Sequence, residues 1–236
     1  MPAQTVIPVD LAVGPPRGLR SFLIVGDGPI LVDTGVPGSA PAILAAVADA
    51  GLQPADILLI VITHAHPDHA GTAAELQAAT GAPIVASALD AVSLAEGKAE
   101  PVVGRTDTAK SFAEQIAARA AAAPPGPSYA PVEATIVLAE DADHLDLDEE
   151  FGVHARVIHT PGHTPGGLSV LLGNGEVIVG DLIDRVDNGP ALAGFAVDEA
   201  ALVDSIARVL ATEPTVVHTC HGGSFSHEQV MAAFGS

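Results

Sequence analysis

Cysteine is almost missing from this chain of 236 residues. Cys220 is the only one, so no intramolecular disulfide can form. Aromatic residues are scarce too: six Phe, one Tyr (Tyr129) and no Trp, which leaves few platforms for stacking bases. Positive charge is short. Two lysines, Lys98 and Lys110, and seven scattered arginines stand against 29 acidic residues, giving a formal net charge of −20. Phosphate backbones are bound by clustered Lys and Arg, so a nucleic-acid partner is not expected. Long hydrophobic runs are also lacking. The densest, Ile57 to Ile62, is far below the roughly 18 residues of a membrane span. The mean hydropathy of +0.41 therefore implies a large aliphatic core, with no membrane partner. Met1 to Gly14 has no basic region before an apolar one, so no signal peptide is expected and the default location is cytoplasmic.

What is present suits one domain over residues 1–236. The length is ample for a sizeable core, and a hydrophobic fraction of 48% excludes a disordered chain. Eight acids and no base lie between Glu133 and Glu150, a pattern that reads as a solvated face. Ser21 to Val25 and Pro29 to Asp33 read as strands joined by a Gly-Asp-Gly hairpin turn. Pro41 to Ala50 has helical spacing, and Gly51 stops it. Asp56 to Thr63 is a continuous apolar run, as in a strand covered on both faces. A helix over Thr72 to Thr80 and a strand over Pro83 to Ala86 follow. Residues 89–131 are mostly helical by propensity, broken near Gly97 to Gly104 and closed by Pro124-Pro-Gly-Pro127. They read as an insertion or cap, or as a homodimer surface. Strands resume at Ala134 to Leu138, Val153 to His159, Leu168 to Leu172, Glu176 to Val179 and Thr215 to Thr219. Asp198 to Leu210 and Ser226 to Phe234 read as helices. The expected fold class is α/β (α+β): two sheets in contact with helices on the outer faces.

The histidines carry the chemistry. His64, His66 and His69, with Asp68, fall within six residues directly after a buried strand. His64 and His66 can turn toward one metal, and Asp68 and His69 toward a second. Imidazole nitrogen and carboxylate oxygen ligate zinc at about 2.0–2.2 Å. His163 follows the strand ending at His159, within Thr160-Pro-Gly-His-Thr-Pro-Gly166. Asp181 follows Gly180 after a Val-Ile-Val strand, and His221 follows the last strand. Each has an ordinary reading alone, but all share one placement, just beyond the C-terminal end of a strand.

This set resembles the metallo-β-lactamase-fold hydrolase superfamily. His64-Ala-His66-Pro-Asp68-His69 matches that superfamily's His-x-His-x-Asp-His signature, and Leu31-Val-Asp-Thr-Gly35, the His163 loop, Gly180-Asp181 and His221 extend the likeness over nearly the whole chain. The resemblance implies an αββα four-layer sandwich of two mixed β-sheets. It implies two Zn²⁺ per chain, with iron and manganese as alternatives. His64, His66 and His163 would hold the first metal, Asp68, His69 and His221 the second, and Asp181 would bridge them. A hydroxide between the metals would be the nucleophile, with Asp68 also orienting it or moving a proton. Asp33 is expected to orient loops around the ligands or simply to form a turn. His159 is expected to support a ligand or to be a plain strand residue. Cys220 replaces the small residue expected before His221 and reads as a buried strand-end cysteine. His144, His154, His218 and His227 read as surface or packing residues.

Fold alone does not fix activity. True metallo-β-lactamases generally lack the bridging aspartate, and the periplasmic ones carry signal peptides. Nuclease relatives expect basic surfaces. Flavodiiron-type members place a glutamate where His66 stands, and glyoxalase-II-type thioesterases add a C-terminal helical region. The expectation is a hydrolase of a small-molecule ester, lactone or thioester, with residues 89–131 capping an apolar group. A non-haem iron persulfide dioxygenase using His64, His163 and Asp181 is the alternative, and a non-catalytic binding protein is a third reading. Tyr129 is the one tyrosine available near a metal.

Overall fold

The computed structural model describes residues 4–11, 18–26 and 28–235. Asp27, in the expected hairpin turn, and residues 12–17 lie outside them. One sheet contains β1 (Thr5–Leu11), β2 (Leu19–Val25), β3 (Ile30–Val32), β4 (Leu59–Val61), β5 (Ile84–Ser87) and β6 (Ile136–Leu138), in that spatial order. β1 to β3 run antiparallel, and β3 to β6 are parallel. Parallel neighbours need crossovers. Helices α1 (Ala40–Asp49), α2 (Ala73–Thr80) and α3 (Ala88–Glu96) lie on these connections, and α4 (Asp107–Ala122) follows α3.

The second sheet uses β7 (Leu145–Asp146), β8 (Ala155–His159), β9 (Leu168–Leu172), β10 (Glu176–Ile178), β13 (Val216–Thr219) and β14 (Gly223–Ser226), ordered β14-β13-β10-β9-β8-β7. α5 (Leu147–Phe151) follows β7, and a separate hairpin of β11 (Ile183–Val186) and β12 (Gly189–Leu192) follows β10. α6 (Glu199–Leu210) and α7 (His227–Phe234) complete the chain. Both sheets are mixed, since β10 and β13 pair parallel among antiparallel neighbours.

Burial explains the layers. Phe22, Leu23, Ile24, Ile60 and Val61 of the first sheet share a core with Val157, Val170 and Ile178 of the second. Beyond the second sheet, Leu202, Ile206 and Val209 of α6 cluster with Val177, Val217 and Phe225. Burying such a side chain stabilises by roughly 1.5–3 kcal/mol, so both interfaces hold the four-layer αββα sandwich. Local signals place the helix ends: the Ser87 hydroxyl accepts the Asp90 N–H at 3.0 Å and caps α3, and Asp198 accepts the Ala201 N–H at 3.0 Å on α6.

The elements depart from expectation in several places. The apolar run from Asp56 to Thr63 is strand only over Leu59–Val61, because Pro54–Asp56 forms a 3-10 turn held by the Asp56 carboxylate on the Gln53 N–H. β1 was not expected, since Pro8 interrupts it. It is the edge strand of its sheet, where a missing N–H costs least. His218 is a packing histidine: Nε2 lies 2.6 Å from Glu176 Oε2, Nδ1 lies 2.8 Å from Ser224 Oγ, and its ring centroid is 5.6 Å from that of Phe22.

Candidate metal centre

Five strand ends meet at one edge of the sandwich. β3 delivers Asp33, β4 delivers the 63–69 loop, and β8, β10 and β13 deliver His163, Asp181 and His221. The Leu168 N–H donates to the Thr63 carbonyl at 2.9 Å, tying the sheets together beside the site. Gly180 makes the approach possible. It has φ +53°, and a Cβ there would meet Thr63 Oγ1 at 2.9 Å.

The donors form two sets. His64 Nε2 lies 2.9 Å from His66 Nδ1, which lies 3.1 Å from His163 Nε2. His221 Nε2 lies 3.1 Å from Asp68 Oδ2, and His69 Nε2 lies 3.9 Å from the same oxygen. Asp181 Oδ2 stands between the sets, 3.4 Å from both His69 Nε2 and His221 Nε2 and 3.6 Å from His163 Nε2. The structure thus brings together all seven residues singled out in the sequence.

Hydrogen bonds behind the rings assign their tautomers. Thr63 Oγ1 donates to Asp33 Oδ2 at 2.8 Å, so His64 Nδ1–H donates to Thr63 Oγ1 at 3.1 Å and its Nε2 lone pair faces the cluster. His163 Nδ1–H donates to the Phe195 carbonyl at 2.9 Å, and its Nε2 faces the cluster likewise. His69 Nδ1–H donates to Asp33 Oδ2 at 2.8 Å. His66 Nδ1 thus stands between two lone pairs with at most one proton to offer. Three ring nitrogens converging this way fit a cation; four-coordinate zinc needs ligands about 2.0–2.1 Å from the ion. Among the described residues, buried His69 Nε2 and Asp181 Oδ1 have no hydrogen-bond partner, which also fits a site built for an ion.

The electrostatics agree. Burial pulls the His69 imidazolium down, but the Asp181, Asp33 and Asp68 carboxylates outweigh it and hold its pKa well above the ordinary value. Burial pushes the Asp181 carboxyl up, yet His221 and His69 hold it well below the usual range. Burial, with the neighbouring rings, lowers the His64 pKa. Burial and then His163 lower that of His66 to about 4.

Asp33 is both a turn residue, with φ +60°, and a support. Besides His69 and the Thr63 hydroxyl, its carboxylate accepts the Thr63 N–H at 2.8 Å and the Cys220 thiol at 3.2 Å. Asp33, His69 and Cys220 lie close enough to hold an ion themselves. However, burial and then the Asp33 charge push the Cys220 thiol far up, so it stays protonated and acts as a donor. His159 joins none of these groups; its Nε2–H donates to the Ala139 carbonyl at 3.0 Å.

Sequence reasoning missed the supports from the helical insertion. Asp90 Oδ1 accepts the N–H of Ala65, the residue between His64 and His66, at 3.3 Å. Tyr129 is buried, and its hydroxyl reaches the Ala65 and Lys98 carbonyls, each at 3.1 Å. Its role is therefore on the ligand loop's backbone rather than beside a metal. Near His163, the Ala196 N–H donates to the Val103 carbonyl and the Arg105 N–H to the Gly194 carbonyl, both at 2.9 Å. The only sequence trace of these supports was the Ser87-x-x-Asp90 cap.

Residues 14–221 match the model described as the Metallo-beta-lactamase superfamily. Over 44 residues the chain is 54% identical to human Metallo-beta-lactamase domain-containing protein 1, covering 19% of this chain and only 16% of that protein. Over 210 residues it is 27% identical to the Probable metallo-hydrolase YflN of Bacillus subtilis (strain 168), covering 82% of this chain and 75% of that one. Among solved structures, Rm3 metallo-beta-lactamase superposes with a TM-score of 0.64 at 29% identity, covering 92% of this chain and 75% of that chain.

Proposed function

Because the chain belongs to the metallo-beta-lactamase superfamily, we propose that it is a hydrolase cleaving an ester, lactone or thioester bond of a small molecule with two zinc ions. The observation that carries this reading is the place of Asp181 Oδ2 between the two donor sets, 3.4 Å from His69 and His221 and 3.6 Å from His163. His64, His66 and His163 would hold one ion, Asp68, His69 and His221 the other, and Asp181 both. Ions so held supply Lewis acidity toward a carbonyl and lower the pKa of water.

The chain's own residues do the rest. Asp33, Thr63 and the Phe195 carbonyl fix the tautomers of His69, His64 and His163, so that each presents Nε2. Burial raises the Asp68 carboxyl, but His69 and His221 outweigh it and keep it ionised at neutral pH. Its side chain is 37% exposed, so the carboxylate can accept a hydrogen bond from attacking water through the oxygen not turned to the ion. Residues 89–131 serve as support: they hold Ala65 and the 193–196 segment, and the tilted rings of Phe112 and Phe195 have centroids 6.0 Å apart.

The test is elemental analysis with an activity panel of lactones, thioesters and a chromogenic cephalosporin, beside His66→Ala. Two zinc ions per chain with zinc-dependent lactone or thioester turnover are expected. One iron per chain with oxygen uptake, turnover of the cephalosporin alone, or no turnover in the loaded protein would each overturn the reading.

A further inference from the structure

A cavity of about 270 Å³ opens beside the metal centre. His221 forms one wall, and two arginines, Arg20 and Arg185, line it with Gly223 and Ser224. Two of only nine basic residues in a chain of net charge −20 thus share one cavity. They come from different sheets and converge on Gly223. A Cβ at that glycine, whose φ is +88°, would meet Arg20 Nη1 at 3.1 Å and Arg185 Nη2 at 3.4 Å. The two guanidinium groups therefore approach one point, which a single methyl group on Gly223 would occupy.

Their partners leave this charge largely uncompensated. Among the described residues, Arg185 meets only neutral groups. It donates from Nε to the Gly222 carbonyl at 2.6 Å, from Nη1 to the Asn188 carbonyl at 3.4 Å and from Nη2 to the Ser224 carbonyl at 3.3 Å, and it lies 4.3 Å over the Phe225 ring. These contacts fix the guanidinium in place without a counter-charge. Arg20 uses Nε on Asp10 Oδ1 at 2.6 Å, and that carboxylate is 72% exposed. Among the described residues its Nη groups make no hydrogen bond, which leaves them for the cavity. Two like charges at this range repel. An oxyanion between them would relieve the repulsion, and the planar fork of Arg suits carboxylate and phosphate alike. Ser224 Oγ, held by His218 Nδ1 at 2.8 Å, adds a polar wall.

We propose that Arg20 and Arg185 form a binding site for an oxyanion carried by the substrate, anchoring that end beside His221 while the scissile bond lies over the metal centre. This rests on the hydrolase reading only for its link to turnover. The substrate class is then an ester or thioester of a small molecule bearing a carboxylate or phosphate. The overall acidity repels such anions at long range, and the two arginines select them at short range.

Calorimetric titration of the zinc-loaded protein with succinate and with inorganic phosphate tests the site without chemistry. Binding at low ionic strength is expected, weakened at least tenfold in Arg185→Gln and Arg20→Gln and weakened by added salt. Arg185→Lys, which keeps the charge and loses the fork, should fall between. Zinc content and thermal unfolding of each variant report whether it folds. In parallel, turnover is compared for thioesters ending in a carboxylate, a phosphonate or a neutral methyl ester. The wild type should prefer a charged one at least tenfold, that preference should vanish in the Gln variants, and the preferred ending identifies the anion. Anion binding unchanged in both Gln variants, or absent from the wild type, overturns the proposal. Arginine-dependent binding without turnover of any thioester or lactone sustains the anion site and removes the hydrolase reading.

Discussion

Replacing Asp33 by Asn removes one charge and changes nothing in size, yet the hydrogen bonds around it forbid a satisfactory alternative. Asp33 Oδ2 accepts from the Thr63 hydroxyl, His69 Nδ1 and the Cys220 thiol, and Oδ1 accepts from the Thr63 N–H. An asparagine has one acceptor and one donor end. With its NH₂ at the Oδ2 position, His69 must turn Nδ1 into an acceptor, which moves its proton to Nε2, the atom facing Asp181 at 3.4 Å. With the amide reversed, the NH₂ faces the Thr63 N–H, a buried donor against a donor. Bonds to a buried charge contribute about 1.5–3 kcal/mol each, and removing a partner behind a ligating histidine costs about 10–100-fold in metal affinity. The expected result for Asp33→Asn is a 10–100-fold weaker zinc site and a folded protein less stable by about 2–3 kcal/mol. Chelator competition reads the affinity, and urea unfolding of the metal-free protein reads the stability. Zinc bound at wild-type affinity with the usual stoichiometry would refute the argument that Asp33 sets the His69 tautomer.

Two other perturbations address the insertion. Tyr129→Phe keeps the ring in the core and deletes the hydroxyl that serves the Ala65 and Lys98 carbonyls. One proton cannot fully satisfy both, so the loss should be about 1–2 kcal/mol in urea unfolding, with zinc affinity reduced through the His64–His66 backbone; an unchanged unfolding midpoint would refute it. Asp90→Asn probes pH. Burial, with the Glu100 charge adding to it, raises the Asp90 carboxyl from 3.8 to about 6 against the Ser87 hydrogen bond. The folded state binds this proton more tightly than the unfolded state. Its stabilisation is therefore complete below pH 3.8 and lost as pH rises through about 6, a change of about 3 kcal/mol at 1.36 kcal/mol per pH unit. The variant lacks this change, so its stability relative to wild type should rise by about that amount between pH 4 and pH 7, and parallel pH profiles would refute the assignment.

The sequence announced the ligands because their chemistry is local. His64 to His69 are adjacent, and His163, Asp181 and His221 each follow a strand whose apolar pattern is plain. The strands Leu168–Leu172 and Val216–Thr219 were legible for the same reason. β14 was not: Gly223-Ser-Phe-Ser226 reads as a loop, and only pairing with β13 makes it a strand. The β11–β12 hairpin hides its turn in Asp187, a non-glycine residue at φ +53°. The supports were the least legible. Tyr129 follows a proline-rich link and gives no periodic signal. Its meaning appears only when residue 129 meets residue 65, a contact set by the way the insertion folds back on the first sheet.

That separation of ligands from supports follows from the architecture. The first half of the chain contributes His64, His66, Asp68 and His69, and the second contributes His163, Asp181 and His221, so neither sheet holds a complete set. The shared core of Phe22, Ile60, Val170 and Ile178 must form before the two sets can meet. Asp33 and Cys220 show the coupling most directly, since the thiol following β13 donates to the carboxylate following β3 at 3.2 Å. Ion binding is then linked to docking of the sheets. An ion at 100 times its dissociation constant stabilises the docked state by about 2.7 kcal/mol per site, comparable to a buried core side chain. The aliphatic core and the polar edge therefore support one another. The core brings the histidines together, and an ion bound by them opposes separation of the sheets.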